Sequence, residues 1–264
     1  MGLQVLVAAV GENPATLAGR MNLESDAIIV NQTDRYAYQE YKYLCPNGAK
    51  KIQCYNLAER GVGLSRNHAL LRATGDFLLF ADEDIVYDSG YEQKVLEQFA
   101  QHPEADFLLF NIRVGETRAT YYTERFHRVH LWNAGRYPTY SFAVRRDKLH
   151  AAHITFHLWF GGGAKYSNGE DSLFLKDCIA YGLKVYAVPV ELGMERERRS
   201  TWFQGYTEKF FIDRGVLYHF LYGKLAGLMA VRFLAAHGAV MCKEIPRKRA
   251  LGLMKKGIHS VKGY

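Results

Sequence analysis

Residues 61–84 read GVGLSRNHALLRATGDFLLFADED, and their pattern changes twice. Ser65 opens a helical run that continues to 74, with Leu70 and Leu71 facing inward, and Gly75 supplies its end. The strand that follows, 76–82, is apolar until Asp82, and Glu83 and Asp84 extend it into three consecutive carboxylates. Carboxylates repel one another and are costly where water is scarce, so three of them closing an apolar strand require a cause.

The flanking sequence continues the alternation. LQVLVAAV (3–10) is β-branched and uncharged, as a strand buried on both faces should be. Asn13 and Pro14 are an N-cap and a first-turn proline, opening a helix to about Met21. Strands are expected at 27–32, 51–56 and 106–112, and a helix at 91–100. Strands alternating with helices at this spacing imply an α/β fold with a mostly parallel central sheet flanked by helices. Residues 116–160 are aromatic and basic with weaker periodicity, apart from a strand at 140–146. A glycine-rich loop (GGGAKYSNGEDSLF, 161–174) leads into a helix ending near Tyr181, and 184–192 is one last strand. Beyond Arg199 the chain reads as an amphipathic helical extension whose stripe is Leu217, Phe220, Leu221, Leu225, Leu228 and Met229. Lys224 and Arg232 interrupt it and argue against a bilayer span.

Composition narrows the class further. With 264 residues, 48% hydrophobic and 23% charged, the chain is globular and large enough to bury a substantial core. Its opening apolar run is short and interrupted by Glu12 and Pro14, unlike a secretory signal. Cys45, Cys54, Cys178 and Cys242 show neither C-x-x-C nor metal spacing and suit free thiols in a reducing cytoplasm. The net charge of +7 is uneven: from Arg199 onward 12 Lys and Arg face 3 Asp and Glu, leaving residues 1–198 slightly acidic. A basic end of this kind suits an anionic partner. An anionic membrane surface, a helix packed back on the domain, and nucleic acid are the three readings; with no nucleic-acid module in the sequence, nucleic acid is not expected. His150, His153 and His157 have helical spacing for zinc, but Ile154, Thr155 and Phe156 favour strand or loop. No dinucleotide or P-loop fingerprint is complete.

In α/β sheets, ligands bind beyond the carboxyl ends of the strands, where the acidic run falls. If the backbone is extended there, Asp82 and Asp84 point to one side and Glu83 to the other. Two hard oxygen ligands suit Mg²⁺ or Mn²⁺ sharing a phosphate. The plainer reading is an acidic turn before the next helix.

The run 61–84 resembles the donor-site segment of the family 2 glycosyltransferases, inverting enzymes of the GT-A fold, through Gly63, Ser65, Arg66, Asn67, Thr74, Gly75 and Asp76 leading into D-x-D. NGEDSLF (168–174) is similar to the family's acceptor-side E-D motif, and RERRSTW (196–202) to the basic segment after its last core strand. The resemblance covers roughly 3–205 and is of the bacterial cell-envelope, polysaccharide-building type. It implies a GT-A domain over 1–205, with a donor nucleotide-binding half (1–115) and an acceptor-side half (116–205), and a basic helical extension over 206–264.

The activity it implies is metal-dependent transfer, of hexosyl or N-acetylhexosaminyl type, from a nucleotide-sugar. A UDP-sugar is the expected donor and a hydroxyl of a glycan or lipid-linked molecule the acceptor, at the cytoplasmic face of the membrane. Asp84 is then the direct ligand of Mn²⁺ or Mg²⁺, and Asp82 reaches the ribose or a metal-bound water, with Glu83 beside them. The base lies against Ala8 and Ala9, near Asn31 and Asp34, with Arg66 and Asn67 closing over it. Asp171, next to Glu170, is the general base: a helix N-terminus lowers its pKa, while burial and Glu170 raise it. Arg198 and Arg199 either clamp the diphosphate or form a solvated charge run, and Trp202 either stacks on a sugar or joins the core. The first strand ends in AAVGEN where the family often has proline, an aromatic residue and asparagine, and GMERERR offers no histidine as a third metal ligand. A sugar nucleotidyltransferase is the enzymatic alternative, wanting a glycine-rich, arginine-bearing loop after the first strand that AAVGENPATLAG lacks. A non-catalytic glycan- or membrane-surface-binding protein on the same fold is the other.

Overall fold

A computed structural model describes residues 2–115, 121–196 and 205–261. The chain runs β1 (Leu3–Val10), α1 (Pro14–Arg20), β2 (Asp26–Gln32), β3 (Ala37–Cys45), β4 (Gly48–Leu57), α2 (Val62–Arg72), β5 (Phe77–Asp82), β6 (Ile85–Tyr87), α3 (Tyr91–Gln101) and β7 (Phe107–Arg113). It continues β8 (His127–Arg128), β9 (Phe142–Arg145), α4 (Arg146–Ala151), α5 (Glu170–Tyr181), β10 (Val185–Glu195), α6 (Glu208–Tyr222), α7 (Ala226–Met241) and α8 (Arg247–Ser260).

The strands form one sheet in the order β3-β4-β2-β1-β5-β9-β7-β10-β6, with β8 pairing β10. β4, β2, β1 and β5 are parallel neighbours, as are β7 and β10, while β9 enters antiparallel between β5 and β7. The sheet is therefore mixed: β9 falls within the strand expected at 140–146, but its antiparallel direction, and the short β6 and β8, were not evident in the sequence. From β1 the chain moves outward to β2 and β4, then returns to place β5 on the other side of β1. Such a reversal leaves a crevice at the carboxyl ends of these strands.

Alternation along each strand fills both faces of the sheet. Val5, Val7, Ile29 and Leu79 pack with Leu17, Val95 and Phe99 on one side. Leu6, Ile28, Leu78 and Phe80 pack with Leu70, Phe174 and Cys178 on the other. A third core joins α6, α7 and α8 to Phe160, Tyr166 and Leu173, so the helical extension docks on the segment around the glycine-rich loop.

Several local expectations are corrected. α2 begins at Val62 with Gly61 as its N-cap, because the Gly61 amide is held by Gln32 Oε1 (2.9 Å). Ser65 is thus a buried interior residue bonding back to the Gly61 carbonyl, not the cap. Leu71 is 71% exposed, pointing away from Leu70, and the helix ends before Gly75 with Ala73 in extended conformation. The helical stripe beyond Arg199 is broken at Gly223, which resets the helical phase: Leu217 is buried, whereas Leu225 and Leu228 are 61% and 66% exposed. By length and composition alone Glu208–Met241 is long and apolar enough to cross a membrane, contrary to the sequence argument. Here the run is interrupted at residues 223–225, and α6 is buried against α8.

Candidate active site

β1 and β5 run side by side with Ala8 opposite Asp82, which brings the acidic run to the crevice. Asp82 is the last residue of β5, and Glu83 and Asp84 form the turn into β6. The extended backbone that would set Asp82 and Asp84 on one side is therefore absent, and the acidic run is a turn at a strand end. The Asp84 carbonyl accepts from the Arg196 amide (2.8 Å), so the end of β10 is tied to this turn.

Arg66 organises the centre. It projects from the second turn of α2, is 4% exposed, and bridges two carboxylates far apart in sequence. Nη2 donates to Asp82 Oδ1 (2.8 Å) and Nη1 to Glu170 Oε1 (2.9 Å), while Nε is buried without a partner. The guanidinium carbon also lies 5.4 Å from the Phe156 ring centroid. Burial works against its charge, but Asp82 and then Glu170 outweigh this and hold its pKa above the ordinary value.

Glu170 and Asp171 open α5, whose N-cap is Gly169 in left-handed conformation. Asp171 Oδ1 accepts from the Ser172 amide (2.6 Å) and hydroxyl (3.3 Å). Burial, then the charge of Glu170, pushes the Asp171 carboxyl up to about 6, with Ser172 and Arg66 pulling only partly the other way. The sequence left this balance unsigned; desolvation decides it. Asp171 is consequently a carboxylate matched to taking a proton near neutral pH.

The glycines at 161–163 close this corner. Val62 N donates to the Gly162 carbonyl (2.9 Å), and Gly161 has φ +101°. A Cβ at Gly161 would stand 2.6 Å from Val62 Cγ1 and 2.8 Å from the Glu170 carboxylate, so only glycine lets the backbone approach here. In the sequence these residues read only as a glycine-rich loop, which does not reveal this close approach.

Beside the acidic turn lies a cleft of about 680 Å³ at the ends of β1, β2 and β4. Gly11, Glu12, Asn31, Asp34, Arg35 and Arg60 are among its lining residues. Asn31 is 1% exposed and fully engaged: it bonds both backbone groups of Glu12 and the Asn56 side chain, and thus shapes the wall. Asp34 is exposed at the rim. Ala8 and Ala9 are buried within the sheet. Asn67 does not face this cleft; its amide pins the Phe156 backbone through bonds of 2.8 and 2.7 Å. Arg35 and Arg60 went unnoticed in the sequence, although both are cations close to the ends of expected strands. Arg198, Arg199 and Trp202 lie outside the described residues.

A parallel-sheet crevice, an acidic strand end and a second acidic pair gathered by one arginine define a transferase of the GT-A class. The sequence matches glycosyl transferase family 2 over residues 21–161, more than half of its length, and the chain belongs to that family. It is by class a nucleotide-sugar glycosyltransferase. Solved structures agree in fold. Residues 1–349 of Staphylococcus aureus TarS, in complex with UDP-GlcNAc, superpose with a TM-score of 0.64 at 15% identity, covering 98% of this chain and 82% of that one. The same TarS fragment with UDP gives 0.58 at 15% identity over 92% and 74%. The mannosyltransferase PcManGT from Pyrobaculum calidifontis, in complex with GDP-Man and Mn²⁺, gives 0.50 at 12% identity over 98% and 74%. No curated protein sequence matches significantly.

Proposed function

We propose that the protein is a divalent-metal-dependent, inverting glycosyltransferase that moves a sugar from a UDP-sugar to a hydroxyl of a glycan or lipid-linked acceptor. The observation that carries this reading is the Arg66 bridge, which draws the acidic strand end and the start of α5 into one site. The base would occupy the cleft by Asn31 and Asp34, at the end of the strand that holds the buried Ala8 and Ala9. UDP and UDP-GlcNAc in the TarS complexes favour uridine as the base and N-acetylhexosamine as the sugar; the GDP-Man of PcManGT makes guanosine the competing base.

Among the described residues no group of three or more His, Cys, Asp or Glu is arranged to hold a metal unaided. One Asp82 oxygen is committed to Arg66, and Asp84 together with the other Asp82 oxygen would supply the hard ligands. That set fits Mg²⁺ or Mn²⁺, which accept one or two carboxylates and complete their coordination with substrate phosphates. When bound, the ion would neutralise charge on the departing diphosphate. Asp171 takes the proton from the acceptor hydroxyl as that oxygen attacks the anomeric carbon from the face opposite the nucleotide. Glu170 and Arg66 hold the start of α5 in place, a positioning role.

The extension favours a peripheral contact with the cytoplasmic face of a membrane. Leu228, Val231 and Val240 are exposed along α7 and Leu225 just before it, near Lys224 and Arg232. Apolar side chains flanked by lysine and arginine suit an anionic lipid surface.

The test is release of UDP from a panel of UDP-sugars with Mn²⁺, comparing wild type with Asp171→Asn. Slow, chelator-sensitive release by wild type, with transfer lost but UDP binding kept in Asp171→Asn, is expected. Full transfer activity in Asp171→Asn would remove that residue from its role. Nucleotide binding without turnover or metal dependence would indicate a non-catalytic binder.

A further inference from the structure

α6 lies against the residues that lead into Glu170 and Asp171. Asp213 accepts hydrogen bonds from the Ser167 amide and hydroxyl, both at 3.1 Å. One turn on, Leu217 meets Gly169 so closely that a Cβ there would stand 2.5 Å from its methyl groups. Arg214 follows Asp213 and shares the helical face of Leu217, three residues away.

The surroundings of Arg214 leave its hydrogen-bonding capacity unspent. Its guanidinium carbon lies 5.2 Å from the Phe210 ring centroid and 5.3 Å from that of Phe233. Nε is buried without a partner, and among the described residues the guanidinium makes neither a hydrogen bond nor an ion pair. Burial lowers its pKa, and the neighbouring Tyr218 and Asp171 offset this only in part. Aromatic rings attract the cation as a whole but do not engage its N–H groups, which form a planar fork shaped for an oxyanion. Arg214 is only partly exposed, and a cation left partly desolvated with a buried N–H donor unpartnered is costly to the fold. Arg66, by contrast, is already committed to Asp82 and Glu170. An anionic substrate group approaching two neighbouring carboxylates needs a cation at that end, and Arg214 is placed to supply it.

We infer that Arg214 is an oxyanion-binding residue of the site, receiving a phosphate or diphosphate group beside Asp171, so that the helical extension contributes part of the transfer centre. This rests on the glycosyltransferase reading, and the group belongs either to the donor diphosphate or to a phosphate carried by the acceptor.

Calorimetry on the full chain separates these sources, with UDP and Mn²⁺ as one probe and inorganic phosphate added to the UDP-saturated protein as the other. Arg214→Gln should weaken one of them tenfold or more. Loss of UDP affinity assigns the donor diphosphate; loss of phosphate binding with UDP affinity intact assigns an acceptor phosphate. Wild-type affinity for both probes in a variant with a wild-type circular dichroism spectrum and cooperative melting overturns the inference. If Arg214→Gln does not fold, Arg214→Lys replaces it, since lysine keeps the charge and loses the fork. Unchanged binding of both probes by that variant overturns the inference equally. A wild-type protein that binds no UDP contradicts the donor reading itself, whereas unchanged binding in the variants contradicts only the role of Arg214.

Discussion

Asp171 sits under opposing forces, since the start of α5 favours its anion while burial and Glu170 disfavour it, and the net position is about 6. As a general base it must be ionised, so kcat/KM should rise with pH through about 6 and then level off; a flat profile from pH 5 to 8 contradicts this. The same shift costs stability. Between the unfolded value near 4 and about 6, the folded chain retains a proton that the unfolded chain has released, so stability falls as pH rises through that window. Asp171→Asn should therefore melt higher than wild type at pH 8, by about 1–2 kcal/mol after allowance for partial exposure, and lose that advantage near pH 4. Arg66→Ala leaves Asp82 and Glu170 facing each other without their cation, and should cost about 3–5 kcal/mol in denaturant unfolding. These residue types and their order were legible in the sequence, because carboxylates at a strand end and a helix start are conspicuous. The bridge was not, because the partners of Arg66 lie 16 and 104 residues away and only the fold brings them together. Asn31 and Asn67 read as ligand-facing by position, but local geometry commits their amides to Glu12, Asn56 and Phe156.

Among elements, α6 and α8 cross at close range. A Cβ on Gly215 would stand 2.1 Å from the Met254 carbonyl oxygen, and one on Gly257 would stand 2.1 Å from that of Ile212. Backbone meets backbone there, so neither neighbour can yield as a side chain would. Gly215→Ala should destabilise by about 1–3 kcal/mol. Gly227→Ala, on a stretch of α7 with nothing within 4 Å, should stabilise by up to about 1 kcal/mol. Equal urea midpoints for the two variants would contradict this packing. The sequence signalled helices here, but it could not show that Gly223 breaks the stripe or that glycines mark a crossing. It also left β3 unassigned: AYQEYKYLC is mostly exposed at the sheet edge, so its polar and charged residues hid the alternation that pairs it with β4.

For the whole molecule, an acidic run at the strand ends is set against a basic helical end. If α7 meets lipid, the full chain should sediment with vesicles containing phosphatidylglycerol at low salt and be released at high salt. Leu225→Ser with Leu228→Ser should weaken that binding several-fold, and unchanged sedimentation would place the membrane contact elsewhere. The alternation of strands and helices made the α/β class legible, since buried parallel strands leave long apolar runs. The antiparallel insertion of β9 was not legible, because a four-residue strand has too few residues to reveal its direction. The central claim is that the carboxylates of Asp82 and Asp84 are held together by a divalent ion shared with a nucleotide diphosphate. Calorimetric titration of UDP into wild type and Asp84→Ala, with Mn²⁺ and then with chelator, tests it most directly. Binding that requires Mn²⁺ and vanishes in Asp84→Ala is predicted; equal affinity in both proteins, unaffected by chelator, would contradict it.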